Sequence, residues 1–194
     1  HDTERISVPN DFEIINQLNA AQDIVRASNA RWWFAKVTDT STTSTASTAR
    51  YSLPSNIGAT GNVESIRARY DDGSTDILYH LEFLPLNEFD AIRRDQDADD
   101  SDNTIYYTLE EADSDSASGY FRVWPTPKTT SRITFHVRYY REFAELDTVE
   151  DTTIVPMPVI LENYAVAQIL KILGQEEKAT FYENLFYGPP TTAK

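Results

Sequence analysis

From Asn10 to Ser28 the chain places Ile14, Leu18, Ala21 and Val25 at i, i+4, i+7 and i+11. That spacing keeps one apolar stripe on a 3.6-residue period and predicts an amphipathic helix over about 10–28. Pro9 precedes it, Asn10 or Asp11 can cap its first amides, and Asp11, Glu13 and Arg26 complement its dipole. The period then shortens to two. Ile66, Ala68 and Tyr70 alternate with Ser65, Arg67 and Arg69, and Ile77, Tyr79 and Leu81 alternate with Leu78, His80 and Glu82. Asp71-Asp72-Gly73-Ser74 separates the two runs, and Asp-Gly in that place predicts a hairpin, because Gly accepts the positive φ of the turn. Pro85 to Arg94 reads as a short helix with Leu86, Phe89 and Ile92 or Arg93 on one side. Further strands are predicted over Thr104–Leu109, Tyr120–Trp124 and Arg132–Tyr140, the last with Ile133, Phe135, Val137 and Tyr139 facing one way.

Between the first helix and the strands lie Trp32-Trp33-Phe34, read as an aromatic anchor between helix and sheet, and then Thr38–Thr48, a run made almost wholly of Thr and Ser. Thr favours extended backbone and nothing here is apolar enough to bury, so this run predicts a polar hairpin with a mobile tip. Toward the end, Pro158 suits a first helical turn and Gly174 a helix C-terminus, giving a helix over about 158–173. Leu161, Ala165, Gln168 and Ile172 cover one of its faces, and Ile160, Tyr164, Ala167 and Leu170 the adjacent one. So wide an apolar arc must be covered on two sides, by the same chain or by another subunit. A last helix, 176–187, carries Ala179, Tyr182 and Phe186 and stops at Gly188-Pro189-Pro190. The fold class is therefore α+β: an N-terminal helix, a β region over about 33–140 of mostly antiparallel strands with long loops, and two C-terminal helices that form a helical body with the first. Residues 1–187 read as a single domain and 188–194 as an extended tail.

Composition narrows the chemistry. The 194 residues carry 17 Lys+Arg against 31 Asp+Glu, a formal charge of −14, which disfavours a clamp on nucleic acid because such affinity comes from cations neutralising phosphates. The same charge suits a surface that DNA slides past without sticking. Five lysines against twelve arginines, with abundant Asp and Thr, resemble proteins adapted to high salt. Aromatic residues at 12% exclude a disordered acidic tail, and the absence of Cys excludes disulfides, Cys-based zinc sites and thiol catalysis. No apolar run of membrane-spanning length is present, and HDTERISVPN has neither a basic start nor an apolar signal core, so a soluble chain is expected. Its first residue, His1, predicts that leading residues precede it.

Catalytic motifs are missing. His1, His80 and His136 stand apart with no HExxH, and there is no GxSxG, phosphate loop or dinucleotide fingerprint. Asp95, Asp97 and Asp99 alternate like the start of a calcium loop, but Asp100 stands where that loop needs Gly and Tyr106 where it needs Glu. No cofactor, no metal and no enzymatic activity are predicted.

The order of short motifs carries a resemblance. Asn19-Ala-Ala-Gln-Asp-Ile-Val, Trp32-Trp-Phe, Tyr51-Ser-Leu-Pro, Glu64-Ser-Ile, Phe83-Leu-Pro-Leu-Asn-Glu-Phe, Phe121-Arg-Val-Trp-Pro-Thr-Pro, Val137-Arg-Tyr-Tyr-Arg, Val155-Pro and the final helix pair follow one another. Together they resemble the head-to-tail adaptor (connector) proteins of tailed viruses, including the tail tubular protein A type of short-tailed phages. The long Thr/Ser run before Tyr51 and the acidic stretch after Arg94 depart from that pattern. The resemblance implies a virion structural protein of the neck. It would form a homo-oligomeric ring, usually of twelve copies, beneath the portal, bind the portal protein and the next neck or tail protein, and let DNA pass without specific binding. It places portal binding at Phe186, Tyr187, Pro189, Pro190 and Lys194, where prolines pre-order an extended arm and aromatics anchor it. Helix packing between subunits falls to Leu161, Tyr164, Ala165, Ile169 and Ile172. The lumen, or alternatively a salt-exposed outer surface, falls to the acids Asp95, Asp97, Asp99, Asp100, Asp102, Glu110, Glu111, Asp113 and Asp115, all expected to be exposed. The Thr/Ser hairpin would reach toward the next tail component. A carbohydrate- or cation-binding β-module with helical flanks remains the alternative class.

Overall fold

A computed structural model describes residues 9–29, 31–71, 76–95, 104–148 and 150–188, with the side chains of 76 and 95 outside the description. Where the sequence reading takes 1–187 as one domain, the described residues gather into two compact units. One is discontinuous, built from the two ends of the chain (1–34 and 143–194), and the other spans 35–142.

The first unit is helical. Its opening helix, α1 (Asp11–Ser28), starts with a capping box: Asn10 Oδ1 accepts from the Glu13 amide at 2.9 Å, and the Asn10 amide donates to Glu13 Oε2 at 3.0 Å. Two donors that a helix start would leave unpaired are thereby satisfied. The predicted stripe faces inward, with Ala21 fully buried and Leu18 and Val25 packed beside it against Leu161 and Val155. Helix α3 (Pro158–Ile172) has Pro158 in its first turn and ends in a Schellman motif, in which the Gln175 amide donates to the Leu170 carbonyl (2.8 Å) and the Gly174 amide to that of Lys171 (3.0 Å). That closure needs Gly174 at φ +68°, a left-handed backbone that a Cβ disfavours. Helix α4 (Glu176–Tyr187) follows directly and packs on α3, which also packs on α1. The helical body read from the sequence is thus the arrangement found.

The second unit is a pair of four-stranded sheets. Strands β1 (Lys36–Thr43), β2 (Arg50–Ser52), β3 (Val63–Asp71), β4 (Asp76–His80), β5 (Glu82–Phe83), β6 (Tyr106–Glu110), β7 (Tyr120–Trp124) and β8 (Ile133–Tyr140) arrange as β1-β8-β3-β4 and β2-β7-β6-β5. Every pairing is antiparallel except β5 with β6. The hairpin expected around Asp71 is present as the β3–β4 pair, with Asp71 opposite Asp76; residues 72–74 of its turn lie outside the described residues. Helix α2 (Leu86–Asp95) matches the short helix expected after Pro85 and buries Phe89.

The core of this unit lies between the sheets. Along β8, Ile133, Phe135, Val137 and Tyr139 are buried, as their alternation predicts, and they meet Tyr51, Tyr107, Phe121 and Val123 from the other sheet. Three rings form its centre: Tyr51 to Phe121 at 5.3 Å, Tyr51 to Phe135 at 4.9 Å and Phe121 to Phe135 at 5.2 Å. Removing each phenylalanine from water contributes about 1.5–3 kcal/mol, with about 0.5–1.5 more from ring geometry.

Two expectations are corrected. The Thr/Ser run is not a hairpin with a mobile tip, because β1 pairs with β8 and β2 with β7, so the run crosses from one sheet to the other. Ser44 pins the crossing: fully buried, it donates Oγ to the Thr129 carbonyl (3.0 Å) and accepts from the Ile133 amide (3.0 Å), while its own amide and carbonyl bond to Ile133 and Ser131. The aromatic anchor divides. Trp32 donates Nε1 to the Val25 carbonyl (2.7 Å) and stacks on Phe34, which packs on Phe143, but Trp33 is 73% exposed. Consecutive residues cannot share one face, and the middle side chain is turned outward.

Phe135→Ala should lower unfolding free energy by about 3–5 kcal/mol through loss of burial and the cavity it leaves. Asn10→Ala should cost about 1 kcal/mol through loss of the cap. Urea unfolding followed by tryptophan fluorescence and far-UV circular dichroism measures both.

Candidate assembly interface

Three regions hold the residues singled out from the sequence, and the first is the surface of the helical unit. Leu161 and Ala165 are buried against the chain's own helices, and Tyr164 is half-buried, its ring 5.0 Å from Phe186 and 6.4 Å from Tyr187. Ile169 is half-buried, and Ile172 is 74% exposed. The open apolar positions are therefore Ile172, which the sequence reading named, together with four it did not single out: Val159 and Val166 on α3, and Phe181 and Leu185 one turn apart on α4. Their signal was present in the width of the apolar arc, but deciding which side the chain covers itself required knowing that α1 packs on Leu161.

The second region is the end of α4. Phe186 is held inward by Tyr164, while Tyr187 stands 62% exposed just before Gly188, whose φ of +85° turns the chain out of the helix. Pro189, Pro190 and Lys194 lie outside the described residues. Between the two helices Lys171 pairs with Glu183, which also accepts from Gln168 at 3.4 Å, and this pairing holds the Lys171 ammonium pKa up.

The third region is an acidic cluster on the outer face of the β2-β7-β6 sheet. Asp97, Asp99, Asp100 and Asp102 lie outside the described residues, as does the side chain of Asp95. The acids of 110–115 are described: Glu111, Asp113 and Asp115 are exposed, as expected, and Glu110 is less so. Glu110 is half-buried and accepts from Arg50 Nε at 2.7 Å and Arg122 Nη1 at 2.9 Å; Arg122 also lies 3.5 Å from Asp90 of α2. Asp113 receives Arg50 Nη2 at 2.8 Å, the Tyr120 hydroxyl at 2.7 Å and the amides of Asp115 and Ser116 at 2.9 and 3.1 Å. The Arg50 guanidinium lies over the Tyr120 ring at 3.5 Å. Glu111 accepts from Thr60 at 3.2 Å, and Asp115 is exposed. The register explains the meeting, since Arg50 stands opposite Arg122 and Glu110 opposite Tyr120, all on the face away from the core. Sequence reasoning saw the acids and missed their cations, which are distant along the chain.

The Tyr120 hydroxyl, then the Arg50 guanidinium and the Asp115 amide, hold the Asp113 carboxyl well below the usual carboxylate range. The same bond raises the Tyr120 phenol, and Arg50 is raised by Asp113 first. A carboxyl depressed in the folded state adds stability above its unfolded pKa and loses it as pH falls toward the folded value. The urea midpoint of the native chain should therefore fall between about pH 4 and pH 2 more steeply than that of Asp113→Asn. Parallel curves over that window would remove Asp113 from the acid response.

A local clamp completes the helical unit. Asn19 accepts from the Leu146 amide and donates to its carbonyl, both at 2.9 Å, and buried Gln22 donates to the Ala144 carbonyl (3.3 Å) and accepts from Thr153 (2.6 Å). These are the polar residues of the Asn19-Ala-Ala-Gln motif, and they bind the segment that returns from the sheet unit.

Among the described residues no group of three or more His, Asp or Glu is placed to hold a metal ion, and no helix is long and apolar enough to cross a membrane. No curated protein matches the chain. The family model described as SU10 adaptor protein matches residues 2–188. With nearly its whole length matched, the chain belongs to the SU10 adaptor protein family, the phage head-tail adaptors.

Proposed function

We propose that this adaptor forms a closed ring beneath the portal in the neck of the virion, joining the capsid vertex to the tail and letting DNA pass without specific binding. The observation that carries the reading is the set of large apolar side chains that the helical unit leaves uncovered: Val159 and Val166 on one face of α3, Ile172 farther round that helix, and Phe181 and Leu185 on α4. A closed ring is built by heterologous contact, one face of each subunit meeting a different face of the next, and such contacts bury apolar surface of this kind. Ile169 and Tyr164 would extend the contact from its half-buried border. The resemblance suggests about twelve copies, the number a portal ring would impose on a partner that matches its symmetry.

Phe186, Tyr187, Pro189, Pro190 and Lys194 would engage the portal, with Tyr187 supplying an exposed aromatic at the point where the chain leaves the helix. A formal charge of −14 supports a conduit role, since phosphates find few cations to bind. Lumen-facing acids would come from Asp95, Asp97, Asp99, Asp100 and Asp102 and from Glu111 and Asp115, rather than from Glu110 and Asp113, whose charges are balanced by Arg50 and Arg122.

Mass measurement of the purified protein, alone and with its cognate portal ring, at low and molar salt tests the reading. The expected result is a portal complex of one defined stoichiometry. Phe181→Asp should abolish ring formation with the melting temperature shifted by only a few degrees, as for a surface change. A chain indifferent to the portal at every salt concentration would overturn it.

A further inference from the structure

Four of the described strands stand at sheet edges, and three are blunted. β1 is polar and carries a bulge between Asp39 and Thr42, β2 has three residues and β5 two. Natural sheets protect edges by such means, because an open row of amides and carbonyls recruits other strands. β4 is neither bulged nor so short. Its register with β3 is unbroken from Arg67↔His80 to Asp71↔Asp76, no described strand pairs with its far side, and Ile77, Leu78 and Tyr79 are 44, 45 and 42% exposed. Along an antiparallel ladder, residues that bond their neighbour alternate with residues whose main chain faces away. The Leu81 amide donates to the Ile66 carbonyl at 3.1 Å, so Leu81, Tyr79 and Ile77 bond toward β3, and Asp76, Leu78 and His80 turn their amides and carbonyls to the open side.

The strand is symmetric in kind about Leu78. Asp76 and His80 are the polar positions at its two ends, and Ile77 and Tyr79 are the apolar ones between. A second β4 laid antiparallel on the open edge, with a two-fold axis at Leu78, therefore meets a compatible residue at every place. Leu78 opposes Leu78 of the second copy and Asp76 opposes its His80, both at hydrogen-bonded sites, because these are the residues whose main chain points outward. Ile77 opposes Tyr79 of the second copy at a non-hydrogen-bonded site, where side chains come closest and a β-branched residue packs on an aromatic ring. That pair falls on the face of Tyr70, beside a mostly apolar cleft of about 260 Å³ that Tyr70, Tyr79 and Ile105 help to line. No like charges are opposed across the junction. An axis at Ile77 or at Tyr79 would instead set Leu78 against Asp76 or against His80, so the residue order selects one register.

We propose that β4 is a self-pairing edge: in solution two copies of this chain join their β4 strands antiparallel about Leu78, making one continuous sheet in the order β1-β8-β3-β4-β4-β3-β8-β1. The contact is isologous, each copy giving the same surface, so it differs from the heterologous contact that closes a ring. It lies within the sheet unit and does not rest on the ring reading. The junction is short, two strands of five residues each, so the pair exchanges and its population follows concentration. Each copy carries a formal charge of −14, and the repulsion between two of them is screened at molar salt.

The chain contains no Cys, so a single introduced thiol reads the register directly. At molar salt the mass of the full chain should rise from one copy toward two with concentration. The Leu78→Cys variant should cross-link to itself under mild oxidation, because opposed residues at a hydrogen-bonded site stand about 5.5 Å apart at Cα, within disulfide reach. The Ile77→Cys variant, whose position is offset along the strand from the same position of the second copy, should cross-link at least about ten-fold more slowly. Leu78→Lys and Leu78→Glu should each stay monomeric, since like charges then meet on the axis, and mixing the two should restore pairing as a mixed dimer, a rescue that an unfolded variant could not give. A single-copy mass at every concentration, equal cross-linking of the two Cys variants, or a dimer that Leu78→Lys leaves intact would overturn the proposal. A chain that stays monomeric alone yet joins the portal would overturn this pairing and leave the ring reading standing; a strand-paired dimer indifferent to the portal would do the reverse.

Discussion

The contact among Tyr51, Phe121 and Phe135 governs the sheet unit, because it joins the two sheets through three rings that each come from a different strand. Closing it removes three large side chains from water at once. Its geometry also dictates the path of the chain. With Tyr51 required in one sheet and β1 already paired in the other, the Thr/Ser run has to cross between them. At the start of the crossing the buried Ser44 pairs its hydroxyl with main chain on both sides, and the Tyr51 hydroxyl donates to the Thr48 carbonyl at 2.7 Å. Burial pushes the Tyr51 phenol pKa up.

The helical unit solves a different problem, since its parts are separated by the whole sheet unit in sequence. Apolar packing of Leu18, Ala21 and Val25 on Leu161 supplies the attraction, but it is non-directional. Asn19 and Gln22 add direction by bonding the main chain of Ala144 and Leu146. Once that interior is filled, α3 and α4 still present an apolar outer surface.

Electrostatics divides the same chain into regions of opposite use. The overall excess of acid gives the chain a formal charge of −14. Where acids meet arginines across the β2-β7-β6 face, they are structural ties rather than a repulsive wall. Net charge alone does not distinguish these two situations.

The elements themselves were legible in the residues. The stripe of α1, the alternation of β8, the Asp-Gly signal between β3 and β4 and the Pro158 and Gly174 boundaries are local patterns, each decided by neighbours a few positions away. The family was legible for a related reason, because the order of short motifs survives without any knowledge of their contacts. Pairing was not legible. A Thr-rich run satisfies a hairpin and a sheet-to-sheet crossing equally well, and only the competition of β7 and β8 for its two halves decides between them. The candidate interfaces divide along the same line. An apolar arc on α3 can be read from sequence, but whether Leu161 faces the chain's own α1 or solvent, whether Glu110 is free or tied to Arg50 and Arg122, and whether β4 is left at an edge are decided by contacts between distant segments. The sequence by itself determined the elements, the charge and the family, because these depend on local spacing and composition; the tertiary structure decided which faces remain open, because exposure is set by what the rest of the chain has already covered.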